Sequence, residues 1–102
     1  MGKAVENLTA LTLRLLARTA HPRLAEWDLA TCEVLASAAV PGLADLISPQ
    51  PPGTGLRIGI RRELLLGVAP GATLHLRARL GSSGDLLAEP HPAAGDFRAE
   101  GP

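Results

Sequence analysis

DLATCEVLASAAVPGLADLI, residues 28–47, is the stretch whose reading decides the fold. Leu29, Cys32, Leu35 with Ala36, Ala39, Leu43 and Leu46 recur at three- and four-residue spacing, which predicts a helix with a continuous apolar face. Asp28 or Thr31 caps its start, and Glu33 then falls in the first turn, where a carboxylate suits the helix dipole. The small residues Ala36-Ser37-Ala38-Ala39 let a sheet approach that helix closely. Pro41-Gly42 interrupts the run, because proline removes a backbone donor and clashes with the carbonyl four residues back, so a kink or break is expected there.

Downstream, SPQPPGTG at 48–55 reads as a loop. The next stretch, GLRIGIRRELLLGVAPGATLHLRARL at 55–80, alternates on both sides of a turn. Leu56, Ile58, Ile60, Leu64 and Leu66 share one face of a predicted strand 56–66, with Arg57, Arg61 and Glu63 on the other. Arg62 breaks the apolar face and predicts a bulge or bend. After Pro70-Gly71, Leu74, Leu76, Ala78 and Leu80 alternate with Thr73, His75, Arg77 and Arg79 in a second strand, 73–80, expected to pair with the first as a hairpin. Leu86-Leu87-Ala88 and Phe97-Arg98-Ala99 are candidates for two further short strands. Upstream, Val5, Leu8, Leu11, Thr12, Leu15 and Leu16 predict a helix over 4–19, ended by His21-Pro22.

Composition narrows the function classes. Trp27 and Phe97 are the only aromatics and the formal net charge is +0, a poor profile for a base-stacking nucleic-acid binder. Cys32 is the lone cysteine, so neither an intramolecular disulfide nor a cysteine-based zinc site is expected; it reads as a small buried apolar residue. Glu6, Asn7 and Arg14 interrupt the apolar N-terminal stretch and spoil both a membrane span and a signal-peptide core, so a cytoplasmic protein without a membrane partner is expected.

The run HPRLAEWDLAT at 21–31 followed by an alanine-rich helix, then PGATLHLRARL at 70–80 and AAGDFRAEG at 93–101, resembles the fluoroacetyl-CoA thioesterase-like branch of the hot-dog superfamily. The resemblance spans residues 21–101, with 1–20 as an extra N-terminal helix, in one domain covering 1–102. It implies an α+β fold in which a central helix packs on a small antiparallel sheet, and an activity on acyl-CoA thioesters. It also implies three catalytic positions. Thr31 matches the threonine. Ala39 stands where the glutamate belongs, and Leu64, with Glu63 beside it, where the histidine belongs. A helix where the family usually lays its first strand, and a C-terminus that stops where a last strand would be expected, depart from the family pattern.

The candidate catalytic residues are therefore Thr31, Glu33, Glu63 and His75. Thr31 and Glu33 sit at a predicted helix start whose free N–H groups can polarise a thioester carbonyl. Glu63 stands in for the missing base, and His75 is the remaining imidazole on a strand. The plainer readings are an ordinary cap for the first pair and solvated strand-face residues for the others. His21 and His91 each precede a proline without a partner at metal-ligand spacing. No cofactor or metal is expected, and acyl-CoA is the candidate ligand. Unpaired strand edges at 56–66 or 73–80 predict a homodimer. The alternative function is a non-catalytic dimeric acyl-binding or scaffold protein.

Overall fold

The computed structural model describes residues 7–47, 50–81 and 83–102. The parts of the predicted N-terminal helix before Asn7, of the 48–55 loop at Ser48-Pro49, and of the Gly-Ser segment at Ser82 lie outside the described residues. The described residues form six strands, β1 (Thr9–Ala20), β2 (Trp27–Ala39), β3 (Gly55–Arg61), β4 (Thr73–Leu80), β5 (Leu86–Ala88) and β6 (Arg98–Glu100), with one 3-10 turn, Arg62–Leu65. The α+β hot-dog expectation is thereby overturned: neither the central helix 28–47 nor the N-terminal helix exists among the described residues, and β2 and β1 lie in their place.

The physical reason lies in alternation that competes with the helical spacing. In β1, Leu11, Leu13 and Leu15 are buried while Thr12 and Arg14 point outward; in β2, Ala30, Cys32 and Val34 are buried while Thr31 and Glu33 point outward. Both segments fit a period of two as well as a period near 3.6, and non-local pairing decides between them. β1 pairs antiparallel with β2 over almost its whole length and with β4 through Thr9–Arg14. The register slips between Thr12 and Leu13 and between Leu15 and Ala17. The second slip makes Leu16 an extra residue and turns it out to 49% exposure. Such bulges bend long strands, as closing a barrel demands.

The predicted β3–β4 hairpin is also corrected. β3 pairs with β2 and, at Gly59↔Leu87, with β5 in parallel; β4 lies between β1 on one edge and β5 and β6 on the other. The expected strand 56–66 ends at Arg61, and the Arg62 break is where the chain enters the 3-10 turn. That turn drops Leu65 into the barrel, fully buried. The Pro70-Gly71 turn does form, with Gly71 at φ +97°, but it leads from the 3-10 turn into β4 and hydrogen-bonds to Leu15 of β1. The 73–80 strand and the two short strands stand close to where the sequence places them. With β4 paired on both edges and β3 paired along β2, the edge-to-edge homodimer loses most of the free edge on which it was expected.

The closed order β1-β2-β3-β5-β4-β1 is the five-stranded Greek-key arrangement of an OB barrel, with β6 as an addition on β4. Leu11, Leu13, Leu15, Val34, Ile58, Ile60, Leu74 and Leu76 fill the interior, a core without an aromatic ring among its fully buried members. At one rim the Asn7 side chain acts as a strand continuation, donating to the Leu80 carbonyl at 3.0 Å and accepting from the Leu80 N–H at 2.8 Å. At the other, Asp28 accepts from Arg62 Nε at 2.9 Å, and Arg18 lies 3.7 Å from its second oxygen while donating to the Leu65 carbonyl. These bonds tie the start of β2 to the closing 3-10 turn. Among the described residues no helix is long and apolar enough to cross a membrane.

Candidate functional site

The outer surface of β2, β3 and β5 carries a cleft of about 240 Å³ between two loops. Its walls are His21, Pro22 and Arg23 from the β1–β2 loop and Gly84, Asp85 and Leu86 at the entry to β5; Leu29 and Arg57 lie between them. In OB barrels this is the face, with these two loops, on which oligomeric ligands lie.

Gly59 is what brings the pieces together. A side chain there would meet Leu87 at 2.7 Å, His21 at 3.4 Å and Trp27 at 3.5 Å, so the missing Cβ lets all three converge on β3. The β1–β2 loop keeps its shape through His21, whose Nδ1 accepts from the N–H groups of Arg23 and Leu24, both at 3.1 Å. That leaves Nε2 as the protonated donor of the neutral ring. Glu26 closes the loop in the left-handed region at φ +67°, and its carbonyl accepts from Arg62 N–H.

The strand registers place Leu29, Gly59, Leu87 and Arg79 in one row across β2, β3, β5 and β4. Arg57 lies two residues before Gly59 on the same face, opposite Thr31. Elsewhere the arginines meet carboxylates: Arg14 with Glu33, Arg61 with Glu63, Arg62 with Asp28, Arg77 with Asp96 and Arg98 with Glu100. Arg57 and Arg79 have no such partner among the described residues, and both lie on this face. By strand geometry their Cα atoms are about 12 Å apart along the sheet. Arg23 is different, since its Nη2 donates to Asp85 across the two loops. That guanidinium, with Ser83 Oγ as a second donor, holds the Asp85 carboxyl below the usual aspartate range.

The four residues expected to be catalytic do not converge. Thr31 and Glu33 are mid-strand on the outer side of β2, so the helix-end N–H groups proposed beside them do not exist. Glu33 is 3.9 Å from Arg14, and Glu63 sits in the 3-10 turn 3.0 Å from Arg61. His75 is on β4, in register with Thr12 of β1, and bonded at 3.0 Å to Glu100 of β6 on a different wall. Ala39 ends β2, whereas Leu64 lies in the turn near the strand's start. The thioester expectation is left without the donors it relied on.

Cys32 is fully buried, and burial pushes its thiol up to about 12. No group of three His, Cys, Asp or Glu side chains among the described residues is placed to hold a metal ion. Comparison with protein families, with curated proteins and with solved structures gives no match. What fold and cleft define together is an OB-type barrel with an open, cation-bearing groove.

Proposed function

We propose that this chain is a non-catalytic binding module for a short stretch of single-stranded nucleic acid, held across β2, β3 and β5 between the two loops. The supporting observation is that Arg57 and Arg79, the two arginines without a carboxylate partner among the described residues, flank the apolar row Leu29–Gly59–Leu87, with Trp27 beside it. Two unpaired guanidiniums suit successive phosphates of an extended strand, and an indole with apolar neighbours suits a base face. A net charge of zero does not oppose this reading, because Asp28, Asp96 and Glu100 are bound to other arginines away from the groove. One aromatic in place of several makes the module a weak, sequence-tolerant binder, with Kd of about 10–100 µM at low salt.

Fluorescence anisotropy of a labelled oligothymidylate of about twelve nucleotides tests the proposal. Each neutralised phosphate contributes a slope of about −0.7 in log K against log salt for single strands, so two free arginines give about −1.4. The double variant Arg57→Ala, Arg79→Ala should abolish that slope and weaken binding at least tenfold while leaving the melting temperature unchanged. Equal affinity for duplex of the same length, or no loss in the double variant, refutes the assignment.

A further inference from the structure

The geometry points to Asp85 as an internal competitor that occupies the Arg23 guanidinium and keeps it from a nucleic-acid phosphate; this rests on the binding reading above. Arg23 and Asp85 come from loops 62 residues apart in sequence, yet their side chains meet over the cleft, in a charge-assisted bond. The Arg23 side chain is 61% exposed and that of Asp85 39%, so the pair sits at the mouth of the groove and not in its floor. A carboxylate on an arginine presents two oxygens in a plane, much as a phosphodiester does, and either ligand satisfies the same fork of N–H donors. The loop positions Asp85 for this role independently of Arg23. Its carbonyl accepts from Gly81 N–H at 2.8 Å, and its carboxylate accepts from Ser83 Oγ at 3.1 Å. The open cleft beneath the pair is thus bridged by a contact that keeps Arg23 from a ligand phosphate.

The consequence is quantitative. In the wild type, Arg57 and Arg79 count fully toward counterion release and Arg23 is cancelled by Asp85. Asp85→Asn keeps an oxygen to accept from Ser83 and Arg23 but removes the charge, so a third cation becomes available. The salt slope should steepen by about 0.7, from about −1.4 to about −2.1. Affinity should rise about two- to fivefold at low salt, the factor expected for release from an exposed ion pair.

The test measures anisotropy of the labelled oligothymidylate for wild type, Asp85→Asn and the double variant Asp85→Asn, Arg23→Ala across a salt series, with thermal melts confirming folding. A steeper slope and tighter binding are expected for Asp85→Asn, and a return of the slope to about −1.4 in the double variant. If the wild type binds and Asp85→Asn has the same slope and affinity, Asp85 is not a competitor, although the groove still binds nucleic acid. If neither wild type nor Asp85→Asn binds at low salt, the binding reading fails and this inference with it.

Discussion

Replacing Asn7 by alanine should destabilise the protein far more than a rim residue ordinarily would. The residue is 6% exposed, and its side chain closes the barrel where β4 runs out, through two hydrogen bonds to the backbone of Leu80. Alanine leaves both the Leu80 N–H and the Leu80 carbonyl without those partners. Each stranded backbone group costs about 1–3 kcal/mol when buried, and Leu80 is only half-buried, so water recovers part of the loss. The sum is about 2–3 kcal/mol, which for a chain of this size lowers the melting temperature by about 10–15 °C. Asn7→Asp divides the effect: its carboxylate still accepts from the Leu80 N–H but sets an oxygen against the Leu80 carbonyl. Circular dichroism melts of both variants, with exposed Arg79→Ala as reference, give the numbers. A shift below about 3 °C for Asn7→Ala would show that the rim is held by other contacts and that the side chain is not a structural strand mimic.

Asp28→Ala should cost about 1–3 kcal/mol, because it strips Arg18 and Arg62 of their shared carboxylate, itself 9% exposed, at the opposite rim; urea midpoints should fall with an unchanged m-value. Cys32 should resist thiol reagents in the native state at pH 8 and react only at the rate of unfolding, since its thiol is buried and held protonated; stopped-flow labelling with and without denaturant decides this. Hydrogen bonding from His75, reinforced by Arg98, holds the Glu100 carboxyl below the usual glutamate range. A lowered carboxylate adds stability above its unfolded value and loses it as pH falls through the folded one, so β6 should stay docked at neutral pH and release only as the pH falls below the ordinary glutamate range, as read from the amide shift of Ala99.

How far the fold was legible depends on which segment is read. β4 is plain, because Leu74, Leu76 and Ala78 alternate with charged or polar neighbours and no helical spacing competes. β1 and β2 are ambiguous in a way no local rule resolves. Leu8, Leu11 and Leu15 fit a helix as Leu11, Leu13 and Leu15 fit a strand, and leucine, alanine and arginine favour the helix intrinsically. What turns them into strands is pairing between segments far apart in the chain, Thr9 with Ala78 among them, which periodicity does not carry. The groove is hidden for the same reason. His21, Arg23 and Asp85 are unremarkable loop residues until two loops meet, and Arg57 looks like any solvated strand-face cation until the other arginines find carboxylates. The one sequence signal was the isolated Gly59 inside an otherwise regular strand, the mark of a close approach.

On the proposed function, the β2–β3–β5 face, and no other wall of the barrel, receives single-stranded nucleic acid. Titration of the labelled protein with oligothymidylate, followed by two-dimensional amide and indole NMR, tests it directly. Shifts should concentrate at the Trp27 indole, Leu29, Arg57, Gly59, Leu87 and the two loops, with His75, Arg77 and Arg98 unmoved. Shifts centred on the β4–β6 wall, or none at millimolar oligonucleotide, would contradict it.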